Sequence, residues 1–167
     1  MNYFKCFLLS CAIVFLWGCK KSYNNVKSDN NSYLNDFQLI QKNSSNNRQV
    51  RITSAKGIIN TTNNDIKLFD SSIILIDKKG PDFLIKSSNS TLNNYSNVIS
   101  ALNNVNISFL DKDDYYINTN SIDWNLNSSI IDINKSLFIN FEDSIIRASR
   151  GFYNIDLGLL NINNTEF

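Results

Sequence analysis

From residue 37 onward, apolar and polar residues alternate with a period of two through segments rich in Ile, Val, Phe, Tyr and Thr. A helix would place apolar residues every three to four positions, whereas a strand with one buried face alternates with a period of two. Clusters rich in Asn, Asp and Ser interrupt the alternation, as turns do. These clusters span residues 60–65, 77–82, 93–97, 111–114, 125–129 and 142–144. The pattern predicts an all-β chain of short antiparallel strands.

The alternation also repeats at intervals of about 30 residues, the range of repeat architectures. Each copy holds two apolar steps, which are Ile66-x-Leu68 with Ile73-x-Leu75, Ile99-x-Ala101 with Val105-x-Ile107-x-Phe109, and Ile131-x-Ile133 with Leu137-x-Ile139-x-Phe141. Lead strands precede the copies at residues 51–55, 84–88 and 116–120, and a fourth copy begins at Ile146. Small or polar insertions at 70–72, 103–104 and 134–136 separate the paired steps. Because such insertions bulge or bend a strand, we expect each strand to turn over the sheet beneath it.

The fold we expect is a twisted, open β-jellyroll or sandwich of repeated antiparallel strands, with one apolar row per strand facing a shared interior. The chain has only five glycines, which speaks against propellers and solenoids that need Gly at each corner. The candidates for the interior row are Ile52, Ile66, Leu68, Ile85, Ile99, Ile107, Phe109, Ile117, Ile133, Ile139 and Phe141.

The N-terminal segment from Cys6 to Gly18 is apolar and follows a short start that carries Lys5. It is shorter than the roughly 20 residues of a membrane-spanning helix and is typical of a secretory signal. Its end resembles the lipobox of bacterial lipoproteins, in which Cys19 would receive the lipid, although Trp17 stands where that pattern has a small residue. An ordinary signal peptide or an uncleaved anchor with an incidental Cys19 is the alternative.

Three segments follow from these patterns. Residues 1–18 are a signal peptide or membrane anchor, residues 19–36 a polar linker that carries Cys19, and residues 37–167 the β-jellyroll. All three cysteines lie before residue 20, so no disulfide is expected in the body of the chain. Export and attachment to a membrane through the N-terminus are the expected fate.

Charge and composition exclude several functions. The 167 residues include 16 Lys and Arg against 15 Asp and Glu, so a nucleic-acid partner is not expected, and no His is present to act as base or metal ligand. The acidic runs 111–114 and 142–143 could in principle serve glycoside cleavage or calcium binding, but solvated turns explain them better. No phosphate-binding glycine loop occurs. We expect no enzyme activity, no metal and no cofactor.

The repeated pattern Ile-x-Ser-x-x-x-x-x-Asn, followed by two Ile-x-Leu-like steps, resembles the LptC-like components of the lipopolysaccharide export system. These belong to the LptA/LptC/OstA-like jellyroll superfamily. The resemblance covers residues 37–167 and is carried mainly by hydrophobic periodicity. The short apolar run before Cys19, in place of a full membrane helix, departs from the family pattern.

The resemblance implies a periplasmic protein that is attached to the inner membrane and handles lipopolysaccharide. It would receive the lipid from the inner-membrane ABC transporter, hold the acyl chains in its apolar interior and pass them to an LptA-like bridge protein. Each interior candidate could instead be a simple core residue. Unpaired strands would join the partners edge to edge. The candidate edges are residues 50–54 toward the transporter and 152–162 toward the bridge protein, with Phe152, Ile155 and Leu157.

Other interpretations stay open. Arg147 and Arg150 could meet lipid A phosphates at a rim or could simply be surface charges. A structural or adhesive β-repeat envelope lipoprotein without lipid cargo would share the signal and the alternation. A carbohydrate-active β-protein would need a cleft with convergent carboxylates.

Overall fold

A computed structural model describes residues 31–43, 48–78, 80–111 and 115–166. The predicted signal or anchor at 1–18 and the candidate lipidation site Cys19 lie outside these residues. The described chain is all β, as predicted. Its ten strands are β1 (Asn31–Asn43), β2 (Arg48–Asn60), β3 (Asp65–Asp77), β4 (Gly80–Asn93), β5 (Val98–Phe109), β6 (Tyr115–Asn125), β7 (Ile130–Ile133), β8 (Leu137–Phe141), β9 (Ser144–Asn154) and β10 (Leu159–Glu166).

All ten strands form one antiparallel sheet in chain order. Strands β7 and β8 share one place in it, since both lie between β6 and β9. They correspond to the third repeat, where residues 134–136 interrupt the ladder. The earlier repeats, with insertions at 70–72 and 103–104, remain single long strands. The predicted repeat is therefore the hairpin unit of the sheet.

The long strands bend near their middle, and in β3 and β5 the bend lies at a predicted insertion. In β3 the buried positions Ile66 and Leu68 are followed by Ser71 and Ile73, so the alternation shifts by one residue. Asp70, at the shift, has a φ of 50°. Asp and Asn tolerate this left-handed conformation better than most residues. The bends of β1 and β5 use the same residue types, namely Asp36, Asn103 and Asn104.

The bends divide the sheet into two layers that face each other. Rings from Phe83 on β4 and Tyr153 on β9, which are not neighbouring strands, lie 6.1 Å apart between the layers. Layer A comprises residues 37–43, 48–54, 71–77, 80–87, 105–109, 115–119, 137–141, 144–148 and 165–166. Layer B comprises residues 31–35, 56–60, 65–69, 89–93, 98–102, 121–125, 130–133, 151–154 and 159–163.

The hairpin turns of layer B share one device. Asn60, Asn93, Asn125 and Asn154 each end a strand and accept a hydrogen bond through Oδ1 from a backbone N–H two or three residues on. Asx turns of this kind replace a backbone turn bond with a side-chain bond. A four-residue loop follows each Asn. Part of the high Asn content therefore serves one turn that recurs four times.

The jellyroll begins earlier than predicted. Strand β1 starts at Asn31, so residues 31–35 of the expected linker are paired with residues 56–60 of β2. Their polar composition concealed the strand, because an edge strand buries only part of one face. Phe37 and Leu39 pack against the core from β1.

The sheet edges also differ from the prediction. Among the described strands, β1 pairs only with β2, and β10 pairs only with β9. Residues 50–54 lie on β2, which is paired on both sides. Phe152 lies on β9, opposite Asp132 of β7 and Asn161 of β10. Residues 50–54 are therefore not an edge, because β1 pairs with β2 on that side. Of the predicted segment 152–162, Phe152 lies on an internal strand, whereas residues 159–162 lie on β10, which is an edge among the described strands.

Candidate functional site

The predicted interior row lies between the two layers, with one exception. Ten of the eleven candidates are at most 7% exposed, and these are Ile52, Ile66, Leu68, Ile85, Ile99, Ile107, Phe109, Ile117, Ile133 and Ile139. Phe141 is the exception, at 47% exposure. It ends β8 at the rim of the interior, where its ring contacts Tyr115 edge-on at 5.8 Å. The prediction that Phe141 faces the interior is therefore wrong.

Further apolar residues complete the interior. They are Val50, Ile73, Leu75, Phe83, Leu92, Ala101, Val105, Ile122, Trp124, Leu126, Ile131, Leu137, Ala148, Tyr153 and Ile155. Several of them belong to the alternating steps from which the repeat was identified. Alternation alone would have found these, whereas Ile122 and Trp124 follow a bend that shifts the phase in β6.

The interior is filled by the protein's own side chains. Ile52, Ile73, Ile85, Ile117 and Ile131 have no surface that water can reach. A cavity large enough for water beside any of them would leave some of that surface accessible. An acyl chain is wider than a water molecule. In this structure it could therefore enter only by displacing side chains or by separating the layers.

Buried hydroxyl groups line the inside of the bend. We call this set the seam, and its members are Ser54, Ser71, Ser87, Ser90 and Thr119. Ser54 Oγ lies 2.6 Å from the carbonyl oxygen of Lys56 and 2.5 Å from that of Phe69, and its one hydroxyl hydrogen can be donated to either; it also accepts from Phe69 N at 3.2 Å. Residues 55 and 70 leave the β2–β3 ladder at this point. The hydroxyl thus satisfies backbone groups that the bend has deprived of strand partners.

The seam continues across the neighbouring strands. Ser71, Ser87 and Ser90 form a buried triangle, with Oγ–Oγ distances of 2.6, 2.8 and 3.0 Å. Thr119 Oγ1 donates to the carbonyl oxygens of Lys135 and Ser136, in the break between β7 and β8. Sequence reasoning missed the seam because Ser71 was interpreted only as part of an insertion that bends the strand. Ser71, two residues before the inward Ile73, carried the signal.

On the side opposite the bend, each layer ends at its strand termini and turns, which we call the free ends of the layers. Aromatic rings from the two layers meet there. Phe83 of layer A lies 5.7 Å from Trp124 and 6.1 Å from Tyr153, both of layer B. Phe109 of layer A meets Tyr153 edge-on at 5.0 Å and stacks on Tyr115 at 4.7 Å. Tilted and edge-on pairs at these distances are favourable. The aromatic cluster therefore closes the interior on this side.

Arg48 forms a second contact between the free ends. Its guanidinium pairs with the carboxylate of Asp156 and donates to Ser129 Oγ at 3.4 Å. Arg48 begins β2 in layer A, whereas Ser129 precedes β7 and Asp156 follows β9 in layer B. Hydrogen bonds from Ser129 and Arg48 hold the pKa of Asp156 below its usual value. We call Arg48, Ser129 and Asp156 the clasp.

Tyr153, at this end of the interior, is only 5% exposed to solvent. Burial, together with the negative charges of Asp82 and Asp111, raises the pKa of its hydroxyl from 10.0 to about 12. Burial also raises the pKa of Tyr115. Loss of solvent disfavours the phenolate, so burial keeps both hydroxyls protonated to a higher pH.

The remaining partner-edge candidates lie in the turn between β9 and β10. Ile155 is 6% exposed and belongs to the core, so it offers no surface to a partner. Leu157, at 67%, is exposed in that turn. Arg147 covers the ring of Phe138 on the outer face of layer A, at 5.6 Å, and Arg150 is exposed at the bend. These two arginines remain candidates for phosphate contact.

The acidic runs occupy exposed positions wherever they are described. Asp111 lies in the turn that follows β5, and Glu142 and Asp143 form the turn between β8 and β9. In the described ranges, no group of three or more His, Cys, Asp or Glu is placed to hold a metal ion. The same ranges contain no helix with the length and apolar character to cross a membrane.

Comparison with known proteins supports the architecture and places the chain. The sequence matches the family described as lipopolysaccharide-assembly, LptC-related, over residues 6–165. The structure is similar to LptH of Pseudomonas aeruginosa, described as the LptA homologous periplasmic component of the conserved lipopolysaccharide transport device. The two share 8% identity at a TM-score of 0.51, over 69% of this chain and 82% of LptH. This likeness confirms the jellyroll fold. A comparison with curated proteins finds no match.

Proposed function

The chain belongs to the lipopolysaccharide-assembly, LptC-related family, and from that premise we propose that it carries lipopolysaccharide between its two layers. In this proposal the protein is periplasmic and tethered to the inner membrane through its N-terminus, with Cys19 as the candidate lipid attachment site. It receives lipopolysaccharide from the inner-membrane ABC transporter and passes it to an LptA-like bridge protein. It makes and breaks no covalent bond.

The observation that carries the proposal is the continuous aliphatic interior. Inward residues from β2 to β9 form one buried cluster that spans both layers. Removing an acyl chain from water is favourable by about 0.8 kcal/mol for each buried methylene. The ten buried candidates, from Ile52 to Ile139, are proposed to touch the acyl chains when lipid is bound. A chain that only carries lipid needs such a surface and no catalytic group.

The two sheet edges support the partner assignments. Strands β1 and β10 each have one side without a described strand partner, and such an edge can pair with a strand of another protein. Strand β1 follows Cys19 by 12 residues (31 minus 19), so it lies nearer the proposed membrane attachment. We assign β1 to the transporter and β10 to the bridge protein. In this assignment β1 replaces residues 50–54 of the sequence prediction, and β10 keeps residues 159–162 of the predicted segment 152–162 while leaving out Phe152.

Gly151 offers a test of the β10 edge. A Cβ atom at this position would lie 2.6 Å from the carbonyl oxygen of Asn161 on β10. Gly151→Val should therefore displace β10 from β9. If β10 is the outgoing edge, the variant still receives lipopolysaccharide but no longer transfers it to a purified bridge protein. Normal transfer by a variant whose β10 amides have lost hydrogen-exchange protection would refute the assignment.

Photocrosslinking tests the interior itself. A benzophenone amino acid replaces Phe109, which is buried, or Tyr116, which is aromatic and faces outward on the adjacent strand. The full chain is loaded with lipopolysaccharide in membrane vesicles that contain the transporter and ATP. The proposal expects an ATP-dependent lipopolysaccharide adduct at position 109 and none at position 116.

Two results would contradict the proposal. Equal adducts at both positions would show that the lipid does not distinguish the interior from the outer surface. No adduct at position 109, in a protein whose circular dichroism shows a native sheet, would favour the structural or adhesive lipoprotein without lipid cargo. This second function remains the alternative because an interior filled by side chains also fits a protein without lipid cargo.

A further inference from the structure

The proposed function leaves open where an acyl chain enters. Interior residues such as Ile52, Ile85 and Ile117 have no water-accessible surface, so no space beside them is ready for lipid. Lipid must therefore displace side chains or part the two layers along one side. On the premise of the proposed function, the contacts along the two long sides decide where the layers can part.

The bend is not the entry. Here each long strand runs continuously from one layer to the other, so the layers are joined covalently. The backbone groups released by the bend are bonded from inside by Ser54, Ser87 and Thr119. Entry at this side would expose backbone groups to acyl chains, which cannot form hydrogen bonds with them.

The free ends are held differently. Backbone hydrogen bonds there run within a layer, as from Leu110 N to Asp82 O in layer A and from Ile155 N to Ser129 O in layer B. The contacts that cross between layers are made by side chains. They are the clasp and the rings of Phe83, Phe109, Trp124 and Tyr153.

We propose that acyl chains enter through the slot between the free ends of the layers, and that the clasp of Arg48, Ser129 and Asp156 holds this slot shut until lipid arrives. The slot has an apolar aromatic lining and a charged rim. Acyl chains can replace the ring contacts of Phe83 and Tyr153 because both are apolar. The sugar portion of the lipid stays outside, at the rim.

The rim chemistry supplies a trigger. Arg48 is bound to the carboxylate of Asp156, whose side chain is 57% exposed. A phosphate group on the incoming lipid presents the same kind of anion with higher charge, and a guanidinium binds phosphate in a forked geometry. Exchange of Asp156 for a lipid phosphate at Arg48 releases layer B while the phosphate is held at the slot.

A reversible tether across the slot tests the entry route. In the full chain, Cys6, Cys11 and Cys19 are changed to serine, and Arg48→Cys is combined with Asp156→Cys. A reducible bismaleimide then links the two positions, with the benzophenone probe at position 109. The control links Gln49→Cys to Ile76→Cys, which are opposite each other on β2 and β3 of layer A. Purified diphosphorylated lipopolysaccharide is the ligand.

Tethering the slot should abolish the lipid adduct at position 109, and reduction should restore it. The control tether should leave the adduct unchanged. Full labelling of the slot-tethered protein would overturn the entry route while leaving the proposed function intact. No labelling of any variant, including the untethered one, would overturn the proposed function and the inference together.

Charge reversal tests the clasp and the trigger. Arg48→Glu should speed uptake of dephosphorylated lipopolysaccharide by roughly two- to fivefold, the range expected for loss of an exposed ion pair. Arg48→Glu with Asp156→Arg should return uptake to the starting rate. The starting protein should take up diphosphorylated lipid faster than dephosphorylated lipid, and Arg48→Glu should remove that preference. Unchanged rates in the single variant, or a preference for phosphate that survives it, would refute the clasp.

Discussion

The two long sides of the interior are closed by different chemistry. At the bend, buried hydroxyls of Ser54, Ser71 and Thr119 bond to backbone groups or to each other. At the free ends, the rings of Phe83 and Tyr153 and the clasp meet across the gap. A lipid chain can substitute for a ring contact but cannot substitute for a hydrogen bond. The comparison identifies the bend as a hinge and the free ends as an opening.

The largest expected effect is at the free ends, from Phe83→Ala. Phe83 has no exposed surface, and truncating such a ring lowers the free energy of unfolding by about 3–5 kcal/mol. Because acyl chains can fill the vacated space, saturating lipopolysaccharide should recover part of the loss. Denaturant titration with and without lipid measures both effects, and Phe83→Leu is the conservative control. Lack of any recovery would mean that lipid does not reach this ring.

Ser54→Ala tests the hinge, with the next largest effect. The change leaves the carbonyl groups of Lys56 and Phe69 without this donor and costs about 1–3 kcal/mol of unfolding free energy. Ser72→Ala, on the outer face of the same bend, should change stability by less than about 0.5 kcal/mol. Lipid should not restore the Ser54 variant more than it stabilises the starting protein. Greater recovery than in Phe83→Ala would reverse the comparison.

Asp156→Asn should have a smaller and pH-dependent effect. The folded-state pKa of Asp156 lies below its ordinary value of 3.8, so its ionised form contributes stability above that pH. This contribution is lost as the pH falls through the folded-state pKa. The variant should be less stable than the starting protein by under about 1 kcal/mol at neutral pH, with the difference vanishing in acid. A difference that grows in acid would contradict the assigned contacts.

Titration of the Tyr153 hydroxyl is the smallest expected effect. It does not change the stability of the protein near neutral pH, where the hydroxyl stays protonated. Its pKa of about 12 lies above the ordinary 10.0, so the stability linked to its protonated form is present below pH 10 and lost as pH rises through 12. Phenolate absorbance of the starting protein minus that of Tyr153→Phe should show a step near pH 12. A step near pH 10 would show that water already enters the free ends.

The sequence predicted the parts of this architecture that depend on local periodicity. Alternation located the interior row, and the insertions at 70–72 and 103–104 located the bends, because an extra residue shifts the phase of a strand. The prediction for Phe141 was wrong because alternation indicates which face of the sheet a residue lies on and not how far it lies from the rim. The start of β1 was missed because residues 31–36 bury too little surface to show an alternating pattern.

The contacts at the free ends could not be predicted in the same way. Arg48 and Asp156 are 108 residues apart, and only the crossing of the two layers brings them together. Pairing of β9 with β10 likewise decides that Phe152 is internal. The seam was accessible in part, since Ser71 keeps the phase of Ile73. Its role depends on backbone groups that lose their partners only when the strand bends.

The most direct test of the account measures the opening itself. Spin labels at Gln49 of layer A and Asn127 in the β6–β7 turn of layer B span the slot beside Arg48 and Ser129, and labels at Gln49 and Lys86 lie within layer A. Pulsed electron–electron distance measurements compare the full chain, with its native cysteines changed to serine, before and after loading with lipopolysaccharide. Opening at the free ends predicts that the distance across the slot lengthens while the distance within layer A stays the same. If both distances stay the same while the lipid crosslinks at position 109, the layers do not part at their free ends and the proposed entry route is wrong.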